Sequence, residues 1–204
     1  MIRAGFRRSI DLPAVSPVAR LFCISLICLL STGCQPVMSS SSVGKPDFGL
    51  DALSFSKHNF SAFCYNTLGC RVTYNNFRFV DQPEGQRSPS PSGPEYRKAW
   101  GGAMYGAIDN FPAPAEVQWS SLDGESHTAS VDLGTIFRDR KILHNVPARD
   151  LPTATVPTSG YPDVFLEVND RTVTVYMKAL VFLRPGAEGP PARDEAVVAW
   201  QKTY

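Results

Sequence analysis

Residues 115–133 read AEVQWSSLDGESHTASVDL, and this stretch decides the fold class. Val117 and Trp119 alternate with Gln118 and Ser120; beyond the centre, Ala129, Val131 and Leu133 alternate with Ser130 and Asp132. A period of two places the apolar set on one face of a half-buried strand. Between the arms sits Leu122-Asp123-Gly124-Glu125. Asp-Gly between alternating arms predicts a hairpin with a type I′ turn, which needs positive φ at both central residues.

Working outward, Val164, Leu166 and Val168 repeat the spacing on one side of Asn169-Asp170-Arg171, and Val173, Val175 and Met177 on the other, predicting a second hairpin. The apolar run 179–183 predicts a strand buried on both faces, and 196–200 a final strand. Upstream, 60–65 reads as a strand and 71–80 as another, with a bulge or bend at Asn75-Asn76 where the apolar parity changes. Residues 81–95 hold four prolines and two glycines and read as a long exposed loop. Tyr96–Ile108 reads as a kinked strand that packs Trp100 and Tyr105, 137–144 as a short helix or charged edge, and 147–162 as loop. Seventeen prolines and fifteen glycines argue for many turns and against a helical bundle. The expected architecture is mostly β, an antiparallel β-sandwich or curled sheet of six to eight strands with little helix.

The N-terminus has a different character. Arg3, Arg7, Arg8 and Arg20 precede the apolar run Leu21–Leu30, followed by Ser31, Thr32, Gly33 and Cys34. A basic start, a short apolar core and small residues before a cut site make an export signal. Ten residues span only about 15 Å as a helix, about half the hydrocarbon thickness, which argues against a permanent transmembrane anchor. Residues 35–49, QPVMSSSSVGKPDFG, carry no apolar period and read as a tether of up to about 50 Å. The expected organisation is a signal peptide at 1–33, a lipidated tether at 34–52 and a single β-rich domain at 53–204.

Beyond Gly33 the chain keeps sixteen basic and eighteen acidic side chains, a balance that gives no reason to expect nucleic acid as partner. Of five cysteines, Cys23 and Cys28 leave with the signal and Cys34 stands at the cut site. Cys64 and Cys70 remain, either joined as a disulfide across a short loop between neighbouring strands or buried as two free thiols; their spacing suits zinc poorly. No nucleophile elbow, zinc-protease helix, phosphate loop or dinucleotide fingerprint occurs. His58, His127 and His144 are scattered. A Ser121–His127–Asp132 constellation can be assembled, but such triples arise by chance, and His127 on the polar face of a hairpin is expected to be a solvated side chain. The sequence therefore predicts binding without catalysis, cofactor or metal.

Leu30-Ser31-Thr32-Gly33-Cys34 resembles the lipobox of bacterial lipoproteins, with the leucine displaced by one place. The resemblance implies cleavage before Cys34, lipid attachment to it and, with Gln35 following, the periplasmic face of the outer membrane. Residues 115–133, IFRDRKILHNVPARDL at 136–151 and DVFLEVNDRTVTVYMKA at 163–179 resemble the small periplasmic lipoproteins encoded beside type VI secretion phospholipase effectors. That family implies an immunity protein that binds and blocks a toxic phospholipase. The alternative is an envelope lipoprotein with a structural or small-ligand-binding role. Loop tips on a rigid sheet commonly carry recognition, which makes 81–95, 122–125 and 147–162 the candidate contacts.

Overall fold

In chain order the strands are β1 (Lys57–Tyr65), β2 (Thr67–Tyr74), β3 (Phe77–Arg87), β4 (Tyr105–Asp109), β5 (Ala115–Ser121), β6 (Ser126–Val131), β7 (Asp163–Asn169), β8 (Thr172–Lys178), β9 (Val181–Phe182), β10 (Ala192–Arg193) and β11 (Ala196–Thr203). A single-turn helix, α1 (Leu133–Ile136), follows β6, and 3₁₀ turns lie at Tyr96–Ala99 and Ala148–Asp150. These elements come from a computed structural model that describes residues 53–153, 158 and 160–204. The signal and tether at 1–52, with Cys34, lie outside the described residues.

The expectation of a mostly β, sandwich-like fold holds. One sheet runs β11-β8-β7-β1-β4, the other β3-β2-β5-β6, and β9-β10 form a small pair. Among the described residues nine strands are of five residues or more, above the six to eight expected. One continuous core lies between the two large sheets. Phe60, Ala62 and Cys64 of β1 join Val164, Leu166 and Val168 of β7 and Val173, Val175 and Met177 of β8; Val72, Tyr74, Val117, Trp119 and Val131 reach it from the other sheet. The period-2 spacing read from 115–133 and 164–177 is the spacing of these inward residues.

The five-stranded sheet is covered on its second face too. Trp100, which follows the 3₁₀ turn rather than lying on a strand, packs with Phe165 and Tyr176. This explains why β7 and β8 are buried along nearly their whole length. The pairing of β1 with β7 is parallel, over Asn59–Tyr65 and Asp163–Asn169. Parallel neighbours need a long crossover, and here the whole second sheet is inserted between them in sequence.

Four local expectations are corrected. Asn75-Asn76 is a hairpin turn, joining β2 to β3: their φ angles are 49° and 59°, and Tyr74 pairs with Phe77. The parity change was therefore a reversal of the chain, with asparagine tolerating the left-handed region. Residues 81–87 belong to β3; this edge strand holds Pro83 where its register with β2 shifts, between Leu68 and Cys70. The register slips at Gly69, where φ is 89° and a Cβ would lie 2.8 Å from the Glu84 Cα, so only glycine fits. The 122–125 turn has positive φ only at Gly124 (87°); Gly124 N–H donates to Ser121 O and Ser121 N–H to Glu125 O, a type I turn followed by a glycine bulge. Finally, 179–183 contributes only the two-residue β9, with Leu180 and Phe182 exposed.

Candidate functional site

Cys64 and Cys70 are joined in a disulfide with S–S 2.01 Å. The bond does not link neighbours within one sheet, as a short strand–strand loop would require. β1 belongs to the five-stranded sheet and β2 to the four-stranded one, so the bond ties the two layers where the chain crosses between them. A bonded pair offers no thiolate. Among the described residues no group of three or more His, Cys, Asp or Glu could hold a metal ion, and no helix is long and apolar enough to cross a membrane.

The disulfide lies at the end of the sandwich where the hairpin tips gather, and that end is bonded shut. Trp119 Nε1 donates to the Asp170 carbonyl at 2.7 Å, and the Leu122 amide donates to Asp170 Oδ1 at 2.8 Å. Arg171 reaches Asp123 at 2.9 Å with one nitrogen and the Tyr204 carbonyl at 2.7 Å with another. The Tyr204 ring stands edge-on to Trp119, with centroids 5.2 Å apart. The remainder of 81–95 is pinned to the same end: the Ser88 amide donates to the Thr67 carbonyl at 2.9 Å, and Ser90 donates to Asn66 at 2.6 Å. Two of the three candidate contact loops are thus tied inward in part, at Ser88 and Ser90 of 81–95 and at Leu122 and Asp123 of 122–125, while Glu84, Gln86, Arg87 and Glu125 stay exposed. The third, 147–162, starts with a 3₁₀ turn, and residues 154–157 and 159 are outside the described residues.

The Ser121–His127–Asp132 constellation is only half assembled. Ser121 Oγ lies 2.9 Å from His127 Nε2, but it donates its own proton to the Asp123 carboxylate. His127 is therefore the donor to Ser121, the reverse of the polarity that activates a nucleophile. Asp132 does not reach His127; it caps α1, accepting from the Thr135 amide at 3.1 Å and the Thr135 hydroxyl at 2.7 Å. These bonds, led by the hydroxyl, hold its carboxyl below the usual range. Ser121 is fully buried, so no substrate reaches its oxygen. His127 is half-buried, with its ring stacked on Trp119 at 5.0 Å.

Two buried polar groups were not marked by any sequence motif. Glu167, 2% exposed, accepts from Tyr96 Oη at 2.5 Å and from Arg97 at 2.8 Å, and the Arg97 guanidinium lies over the Tyr96 and Tyr176 rings. Burial, with the Glu167 charge second, pushes the Tyr176 hydroxyl up to about 12. His58 is fully buried with Nδ1 2.7 Å from Asn110 Oδ1 and Nε2 3.0 Å from Tyr74 Oη. Asn110 Nδ2 donates to the Phe55 carbonyl, which turns Oδ1 toward the histidine. His58 Nδ1 therefore carries the proton and Nε2 accepts from Tyr74. Desolvation lowers its pKa, so the ring is neutral.

The opposite end of the sandwich differs. Here the edge strands β3 and β4 of the two sheets meet through aromatic rings. Phe77 stacks on Tyr105 at 5.2 Å, and Phe79 stands edge-on to Phe77 at 4.9 Å. Phe79 in turn packs on core Phe60 at 4.7 Å. The rings thus form a continuous path from core to solvent. Phe77 is 45% exposed and Met104, beside Tyr105, is 79% exposed. Asn59 Oδ1 accepts from the Ala107 amide at 3.1 Å, and Ser61 Oγ accepts from the Met104 amide at 2.7 Å, fixing the backbone under the patch. The Lys57–Asp109 pair flanks it at 2.9 Å. Apolar rings held in place at the surface are a feature of recognition sites. Sequence reading placed Phe77 and Phe79 on a strand but carried no sign that they lie at an outer edge.

Fold and surface together define a two-layer β-sandwich, stapled by a disulfide, with one end closed and one aromatic edge open. Comparisons with protein-family models, with curated proteins and with solved structures find no match to this chain.

Proposed function

We propose that this chain is a lipoprotein of the cell envelope, anchored through Cys34 at the periplasmic face of the outer membrane, that binds and neutralises an antibacterial phospholipase effector. In this reading it is an immunity protein and not itself an enzyme. The observation that carries a binding role is the open aromatic edge of Phe77, Phe79, Tyr105 and Met104 on a braced frame. The sequence 21–34, the tether after it and the resemblance of 115–133 and 163–179 to immunity lipoproteins supply the rest. The physical logic is direct. A phospholipase works at the bilayer, and an inhibitor tethered there meets it at high effective concentration. A stable complex buries about 800 Å² on each partner, centred on a few preformed aromatic anchors.

The test is protection. Cells that export the phospholipase encoded beside this chain into their own periplasm should survive when the chain is co-produced and lyse when it is omitted. Lysis in both cases ends the neutralisation reading. Replacing Cys34 by Ser should move the chain from the membrane to the soluble fraction; continued sedimentation with membranes would remove the lipid-anchor part alone.

A further inference from the structure

The two sheets leave a second open side, between edge strands β6 and β11. A cleft of about 680 Å³ lies there, lined by Ile136, Leu143, Ala199 and Trp200 below and by Arg138, Arg140 and Lys141 at the rim. The volume falls in the range of ligand pockets, about 300–1,000 Å³. All four apolar residues pack against the central core, so the floor is the uncovered margin of the sandwich interior.

The strand is shaped for this floor. Along β11, Val198 pairs with Tyr176 and Trp200 with Val175, leaving Ala199 as an extra residue in a bulge. Neighbours on a regular strand point to opposite faces; the bulge is what lets Ala199 and Trp200 line the same cleft.

The rim carries unbalanced positive charge. Arg138 has only Asp139, at 3.9 Å, and both are largely exposed. The Asp132 carboxylate accepts from the neutral Thr135 and keeps its charge, so the lining holds three cations, Arg138, Arg140 and Lys141, against two carboxylates, Asp132 and Asp139. Arg140 and Lys141 take part in none of the ion pairs among the described residues, and both are exposed. An apolar trough with cations at its mouth suits a ligand with an apolar chain and an anionic head.

We infer that the β6–β11 cleft binds a single-chain anionic amphiphile, with the chain along Ala199 and Trp200 and the carboxylate or phosphate head at Arg140 and Lys141. This goes beyond the neutralisation reading and does not depend on it. The head could come from a free fatty acid or from an anionic lysophospholipid, which share the chemistry.

The purified full-length chain is titrated calorimetrically, below micelle formation, with dodecanoate, lauroyl lysophosphatidylglycerol, neutral monolaurin and butyrate. One saturable site for dodecanoate or for the lysolipid is expected, and which of the two binds tighter identifies the source. Monolaurin should bind at least about tenfold more weakly, and butyrate should show no saturation. The surface variant R140E/K141E should weaken the anionic ligand by about tenfold or more while unfolding like the parent. A199F, which fills the trough and leaves the rim cations, should abolish binding of the chain-bearing ligands. The inference is overturned if neither anionic amphiphile saturates, if monolaurin binds as well as they do, or if R140E/K141E binds unchanged.

Discussion

The two ends of the sandwich use the same kinds of residue in opposite ways. At the closed end a tryptophan, two hairpin tips and the C-terminal tyrosine bond one another: Trp119 to the Asp170 carbonyl, Arg171 to Asp123 and Tyr204. At the open edge Phe77, Tyr105 and Met104 face solvent with only their backs supported. The difference separates rings that stabilise from rings that are available. A buried ring with its polar atom paired contributes to folding. An exposed one contributes little, and its retention on a fixed backbone is better explained by what it meets.

The largest expected effect breaks the comparison from the closed side. Trp119→Ala should destabilise by about 3–5 kcal/mol, because it empties a buried ring site and orphans the Asp170 carbonyl. Phe77→Ala should stay within about 1 kcal/mol. Denaturant midpoints of the two variants check this; equal losses would mean that the open edge is part of the core. Next in size is the inter-sheet staple. Removing it as C64S/C70S frees a loop between residues six apart and should cost about 2 kcal/mol on chain entropy. Thermal melts with and without reductant should give the same ranking, and a reductant-insensitive wild type would refute it.

The smallest effect is silent at neutral pH. His58 has a lowered folded-state pKa against about 6.5 unfolded, so the unfolded chain takes up a proton first on acidification. Its contribution is fully present above pH 6.5 and is lost as pH falls through the folded value. A His58→Gln variant should show a flatter stability profile between pH 7.5 and 5 than the wild type. Asp81, Asp123 and Asp132, all lowered by hydrogen-bonding partners, add their own losses only near the carboxylate range below that window. Parallel profiles for variant and wild type would show that the histidine is not held neutral.

How much of this was legible follows from where the physics is local. The 115–133 and 164–177 hairpins were readable because alternation and turn chemistry lie within a few residues of each other. The Asn75-Asn76 reversal was half readable: parity flipped, but without glycine the pair resembled a bulge. β3 was hidden because Pro83 and Gly85 signal loop, and only an outer position in the sheet lets a strand accept them. The parallel β1–β7 pair, the Glu167–Arg97–Tyr96 cluster and the open edge all join residues far apart in sequence, and no local pattern encodes them. Of the candidate contacts, loop tips were the expected places; the tips at 81–95 and 122–125 are tied inward in part, and the exposed Phe77 and Tyr105 rings lie on strand edges.

The measurement that bears most directly on the proposed role is the affinity of the full-length chain for the kind of phospholipase effector the proposal assigns to it, with one variant from each end. Wild type should bind with a nanomolar Kd. Phe77→Asp should weaken binding by about thirty-fold or more, the loss typical of a central anchor, while Arg171→Ala at the closed end leaves it unchanged. A wild type that does not bind, or a Phe77→Asp variant that binds as tightly as the parent, would contradict it.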